Sequence, residues 1–204
     1  MTRKSVAAPG HAGGQTLLEL VVTLGIVGTL ASVAVPSFSR LVLDGRRAAV
    51  VNDVVTALLL ARTEAIKRRQ PVIACGVRDA NGNGVLEPAE RTCVGHDWSQ
   101  GWVVGAWQDA NRDQRVDAGE LTLLREHLSD VPGIAVRAGS FMATPAVAPA
   151  GTAIVKPFGQ RSGNGTITVC DRRGPAHARG IVVAGSGRTR VASQRAGGGP
   201  LSCP

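Results

Sequence analysis

Gly14 to Phe38 reads GQTLLELVVTLGIVGTLASVAVPSF, an apolar stretch whose one charged side chain, Glu19, sits near its start. The uncharged run from Leu20 to Ser39 measures roughly 30 Å as a helix, the thickness of the hydrocarbon core of a bilayer. A carboxylate in that medium costs about 2.5 to 3.5 kcal/mol on insertion scales, so Glu19 calls for a partner of opposite charge. The stretch also fits the outline of a cleaved secretory signal, with Arg3 and Lys4 as its basic end and Ser32-Val33-Ala34 as a small-residue cleavage site. An acid inside the hydrophobic region counts against that alternative. A plain single-span anchor is the other ordinary outcome.

Beyond the apolar run, Val51, Val54, Val55, Leu58, Ala61 and Ala65 recur at spacings of three and four, which is one face of an amphipathic helix over Arg46 to Arg69. Gln70-Pro71 ends it, because the residue before proline avoids the helical region. Pro36 lacks the N–H a helix interior needs and loosens the helix locally. Residues 15–70 therefore read as one long helix, membrane-spanning over about 17–39 and then packed on a sheet. After Pro71 the pattern shifts to short apolar runs bounded by Gly, Asn, Asp and Pro. The predicted strands are Val72–Val77, Trp102–Trp107, Leu121–Leu124, Ile134–Arg137, Ala153–Phe158, Thr166–Cys170, Ile181–Ala184 and Thr189–Ala192; Gly139–Gly151 is Ala/Pro-rich and reads as a loop. The fold class is α+β: a long N-terminal helix on an antiparallel β domain over 71–204. With 26 Gly, 3 Phe, 3 Trp and no Tyr in 204 residues, the core of that domain must be built from Val, Ala, Leu and Ile with frequent turns.

The Gly14-Gln15 step with Glu19 five places into the following chain resembles the amino terminus of type IV prepilins and type II secretion pseudopilins. That resemblance implies a leader over 1–14, cleavage after Gly14 by a prepilin peptidase, and N-methylation of Gln15, which stands where most members have Phe. It further implies that Glu19 meets the amino terminus of a neighbouring subunit during assembly. The precursor would be a single-pass protein of the bacterial inner membrane, later part of a pilus or a periplasmic pseudopilus with other pilin subunits as partners. Asp97-Trp98-Ser99-Gln100-Gly101-Trp102-Val103-Val104, Asp109-x-Asn111 and Gly119-Glu120-Leu121 resemble the domain of the GspH/FimT group of minor pilins and pseudopilins. Gly187-Arg188-Thr189-Arg190 is similar to the GRxR motif of the FimT branch, which implies DNA binding during natural transformation.

Export places the four cysteines in an oxidising space, so Cys75, Cys93, Cys170 and Cys203 read as two disulfides. Three pairings exist on paper; Cys75 with Cys93 and Cys170 with Cys203 each close a local loop, the second tying down a Gly-rich tail. Free buried thiols or zinc are the alternatives, and no CxxC or paired-His spacing supports the latter.

Charge is unevenly placed. Residues 1–130 hold fourteen basic and fourteen acidic side chains, whereas 131–204 hold nine basic and one acid, Asp171, so the net +8 resides in the last third. Lys156, Arg161, Arg172, Arg173, Arg179, Arg188, Arg190 and Arg195 are the candidate anion ligands, mostly Arg, whose planar fork suits phosphate. No aromatic residue follows Phe158, so sequence-independent backbone contacts to double-stranded DNA are expected, without base stacking. A solvated surface or a contact with an acidic neighbouring subunit accounts for the same arginines.

Asp79-x-Asn81-x-Asn83-Gly84 with Glu90 has the spacing of an EF-hand calcium loop. Asp109-x-Asn111-x-Asp113 with Asp117 and Glu120 has it except for Gln114 at the sixth place. Hairpin turns use the same residue types. His96, His127 and His177 stand apart in sequence and read as surface or packing residues. No nucleophile elbow, P-loop or zinc-protease helix is present, so no catalytic residue is assigned. No cofactor is expected; calcium in these two loops is the alternative to plain hairpin turns.

Overall fold

The computed structural model of the chain describes residues 16–111, 119–129, 131–139, 141, 152–155 and 163–204. Gly14, Gln15, Asp113, Gln114, Asp117, Lys156, Phe158, Arg161 and most of the Gly139–Gly151 segment lie outside the described residues. The chain divides into two units, one up to Val42 and one spanning Leu43–Pro204.

The helix α1, Leu17–Arg68, runs through both. In the first unit Thr16 caps it, its Oγ1 accepting the Glu19 amide at 3.2 Å. Thr-x-x-Glu is a capping-box sequence and places an acid at the positive end of the helix dipole, so Glu19 has a local role besides the one the resemblance implies. Leu17 to Leu41 present exposed apolar side chains throughout. The hydroxyls of Thr23, Thr29, Ser32, Ser37 and Ser39 each donate to a carbonyl three or four residues back. The segment's hydroxyl groups are thereby satisfied within the helix, as a hydrocarbon medium requires. The helix is long and apolar enough to cross a membrane, with a window of mean hydropathy 2.1.

In the second unit α1 buries Leu43, Arg47, Val50, Val54, Ala57, Ala61 and Ala65 on one face, the three-and-four spacing of a core-facing stripe. It stops at Arg69, whose φ of 55° is a left-handed cap that breaks the helical ladder just before Pro71. Among the described residues eight strands follow: β1 (Val72–Gly76), β2 (Gly101–Trp107), β3 (Leu121–Leu128), β4 (Ile134–Ala138), β5 (Ala153–Val155), β6 (Gly165–Asp171), β7 (Arg179–Val183) and β8 (Thr189–Ala192). They form two four-stranded antiparallel sheets, in order β3-β2-β1-β5 and β4-β6-β7-β8. The helical stripe and one face of each sheet make a single core of Val, Ala, Ile and Leu around Trp98 and Trp102.

The Asp97–Trp102 motif joins the sheets. Trp98 N donates to Val136 O at 2.9 Å and Ala138 N donates to His96 O at 2.8 Å, which pairs the backbones of Asp97 and Arg137 as an isolated antiparallel bridge. Trp98 is fully buried and stacks on Trp102, which in turn stacks on His127 at 4.3 Å between centroids. Gly76 admits this crossing, since a Cβ there would overlap the Asp97 carbonyl oxygen and meet the Trp98 ring at 2.6 Å.

Each sheet also has an outer face, and each is covered by a segment tied down by a disulfide. Over the first sheet, Leu86 and Cys93 pack on Ile73, Val103 and Trp107, with Cys75 bonded to Cys93. Over the second, Leu201 packs on Cys170 and Ala178, with Cys170 bonded to Cys203.

Candidate functional site

The β7–β8 hairpin carries the Gly187-Arg188-Thr189-Arg190 motif. Its turn closes by Gly187 N donating to Ala184 O and Ala184 N donating to Arg188 O, both at 2.8 Å. Gly187 has φ +73°, a left-handed conformation that explains why glycine opens the motif. Ile181 and Val183 enter the core, so Val182 and its cross-strand partner Arg190 face outward, and Arg188, two residues earlier, shares that side. Both arginines are exposed, and neither is ion-paired among the described residues.

Three of the other predicted cations lie elsewhere. Arg172, Arg173 and Arg179 gather at the β6–β7 connection, the opposite end of the sheet, about 16 Å away along the five residues of β7. Arg179 pairs with Val169, a core residue, so it belongs to the face opposite Arg190, and its Nη1 donates to Ala178 O at 3.1 Å. Arg172, Arg173 and Arg179, named with Arg188 and Arg190 as candidate anion ligands, therefore form a cluster separate from theirs. An open cleft of about 540 Å3 beside the Cys170–Cys203 bridge includes Arg172 in its lining, with Ile134, Asp171 and Pro175.

Arg173 is engaged in an ion network that sequence reasoning missed. Asp171, its side chain fully buried, accepts from Arg173 Nη2 at 2.7 Å, Arg173 Nε at 3.0 Å, Arg173 N at 2.9 Å and Arg47 Nη1 at 3.2 Å. Asp44 accepts from Arg173 Nη2 at 2.6 Å and from Arg47 Nη2 at 2.7 Å, and Arg47 also donates to the His177 carbonyl. The Arg173 hydrogen bond is the first cause holding the Asp171 carboxyl down to about 2. The same guanidinium lowers Asp44, and the Asp171 hydrogen bond, followed by that of Asp44, raises Arg173. A signal existed: an arginine at position 47 falls on the stripe otherwise occupied by Leu43, Val50 and Val54.

The first Asp/Asn/Gly loop closes on itself. Asp79 accepts from the Gly82 and Gly84 amides at 2.7 Å, Asn81 from Asn83 N at 2.9 Å and Asn83 from Val85 N at 2.8 Å. Glu90 accepts from Ala80 N at 2.9 Å and Glu87 N at 3.1 Å. In the second loop Glu120 similarly accepts from Ala110 N at 2.9 Å and from the Trp107 indole at 3.3 Å, while Asp109 and Asn111 precede the undescribed residues 112–118. Among the described residues no three Asp, Glu, His or Cys side chains gather at metal-holding range.

A family model described as type II transport protein GspH matches residues 50–187. Two crystal forms of the type IV minor pilin FimU of Pseudomonas aeruginosa strain PAO1 are similar to this chain at 16% identity. One covers 77% of this chain and 99% of its own with a TM-score of 0.47; the other covers 79% and 97% with a TM-score of 0.49. No curated protein matches. Members of the matched family are pilin-like structural subunits and not enzymes. By the extent of that match this chain belongs to the GspH family of pilin and pseudopilin subunits.

Proposed function

We propose that this chain is a minor type IV pilin that binds double-stranded DNA, without reading its sequence, through the β7–β8 hairpin. The precursor is held in the inner membrane by residues 17–39, cut after Gly14 by a prepilin peptidase and methylated on Gln15. Glu19 then meets the amine of a neighbouring pilin subunit as the filament forms. The observation carrying the DNA reading is the shared outward face of Arg188 and Arg190, exposed and free of carboxylate partners among the described residues. Arginine forks on such a face suit phosphate oxygens, and binding of this kind weakens steeply with salt. Replacing both by Gln in the full mature chain, held in detergent, is expected to weaken duplex binding at low salt and to lower the salt slope by about 1.8. Unchanged affinity and slope would remove DNA as the ligand of this hairpin.

A second reading, a structural subunit of a type II secretion pseudopilus, is supported by the description of the matched family model. It predicts that deletion abolishes export of secreted proteins, with the R188Q/R190Q variant fully competent.

A further inference from the structure

After β8 the chain does not leave the sheet. Gln194 pairs with Pro200. Arg195 N donates to Gly199 O and Gly198 N to Arg195 O, both at 3.0 Å, so residues 194–200 form a closed loop. Gly197 and Gly198, at φ +93° and +86°, allow its tight reversal. Three anchors lay this loop and the residues after it across the outer face of the second sheet. Ala196 N donates to Thr166 Oγ1 at 2.9 Å. Leu201, 6% exposed, covers Gly180, where a Cβ would meet its Cδ2 at 2.8 Å. Cys203 is bonded to Cys170.

The register then fixes the row of the Thr166 anchor, to which the residue after Arg195 is bonded. Thr166 pairs with Val182, and Val182 with Arg190, so the Thr166 anchor is in the same cross-strand row as Arg190, two strand spacings or about 10 Å away. That separation corresponds to roughly three base-pair rises of 3.4 Å measured along a duplex axis. The Arg195 guanidinium is seated over Gly199: a Cβ there would overlap its Nε and approach its Nη2 at 3.0 Å. Arg195 is exposed. The one acid of residues 131–204, Asp171, is buried at the opposite end of the sheet and neutralises nothing on this face.

We infer that Arg195 is a third phosphate ligand of the Arg188/Arg190 site, placed there by the C-terminal loop that the Cys170–Cys203 disulfide fastens to the sheet. The inference rests on the DNA reading given above. Its consequence is that DNA affinity depends on the oxidation state of a bond that touches no DNA.

The test measures binding of a 30-base-pair duplex of mixed sequence to the full mature chain in detergent, from 50 to 300 mM salt. R195Q is expected to weaken binding about three- to tenfold at low salt and to reduce the slope of log K against log salt by about 0.9, the loss of one phosphate contact. Gly199→Ala leaves the charge and the disulfide intact but unseats the guanidinium, and is expected to approach the R195Q loss. C170S/C203S is expected to match R195Q, and R195Q added to that background changes affinity less than twofold. If R188Q/R190Q leaves binding unchanged, the DNA reading itself falls. If R188Q/R190Q weakens binding while R195Q and Gly199→Ala do not, the hairpin site stands and the third ligand is overturned. Full additivity of R195Q with C170S/C203S would overturn the disulfide's positioning role. Should the double serine variant not fold, Gly199→Ala still decides whether the seat of Arg195 matters.

Discussion

Asp171→Asn is the sharpest probe of how the end of the second sheet is held. It keeps the shape of the side chain and removes the charge that two guanidinium groups share. Asp171 is fully buried and accepts four hydrogen bonds, three from Arg173 and one from Arg47, whose side chain is 9% exposed. Removing one partner of a buried pair typically costs about 3 to 5 kcal/mol, because the remaining charge is stranded. Here the low end, about 3 kcal/mol, is expected, since Asp44 stays bonded to both arginines. For a domain the size of Leu43–Pro204 that is about 6 to 12 °C in Tm. Arg47→Met should cost less, about 1 to 2 kcal/mol, because Arg173 still holds Asp171.

The loss must also depend on pH in one direction. Asp171 has its folded pKa lowered from 3.8 to about 2, so its contribution is complete above about pH 5 and most of it is lost as pH falls to about 2. Linkage puts that contribution at roughly 2 to 3 kcal/mol. Thermal denaturation of the full mature chain in detergent, followed by circular dichroism from pH 7 to pH 2, should show the gap between wild type and D171N narrowing in that window. A gap under about 0.5 kcal/mol at pH 7, or one that stays constant down to pH 2, would refute the assignment of the network as a stabilising buried cluster.

Breaking Cys75–Cys93 or Cys170–Cys203 should cost roughly 3 and 4 kcal/mol by loop-closure entropy for separations of 18 and 33 residues; urea unfolding of the paired serine variants checks the order. Gly76→Ala drives a Cβ into the Asp97 carbonyl, which cannot move without breaking the crossing, whereas at Gly105 the obstacle is the half-buried Leu121 side chain, which can swing. The first change is expected to destabilise by about 2 to 3 kcal/mol and the second by about 1, read from denaturant midpoints; equal losses would mean that the crossing yields. Intact mass of the exported chain should begin at methylated Gln15, and a first residue beyond Val33 would leave no filament subunit.

The helix and the strand positions were readable because each follows from a local period. Leu17–Arg68 lies within the helix expected over 15–70, and the end at Arg69 came from Pro71 alone. Strand lengths were less secure. Leu121–Leu124 extends to Leu128 because β3 is an edge strand whose outer residues, including Arg125 and Glu126, can be polar. The division into two sheets was not readable, because period two assigns a face but not a neighbour. β5 joins β1 across some eighty residues, while β4, adjacent in sequence to β3, pairs instead with β6. The charges misled for the same reason. Arg172, Arg179 and Arg190 are close in sequence, yet a strand of ordinary length carries the chain from one end of the sheet to the other between them.

The aromatic-poor composition has a structural consequence that joins the two disulfides to the candidate site. A core of Val and Ala fills the space between the helix and the sheets with small side chains, and Trp98 and Trp102 supply the bulk at its centre. The first sheet's outer face offers Ile73, Val103, Trp107 and Ile154, but the segments laid over the two faces bring little large apolar surface of their own. The segments covering those faces bury only Leu86 over one sheet and Leu201 over the other as large aliphatic side chains, about 2 to 3 kcal/mol each, against an ordering cost of about 1 to 2 kcal/mol for every backbone residue fixed. Apolar burial alone cannot hold such segments in place, and a covalent tether to the adjacent strand can, because it removes much of their freedom before folding begins. Cutting either tether should therefore loosen one outer face while the shared core persists, and for the second sheet the loosened segment is the one that carries Arg195.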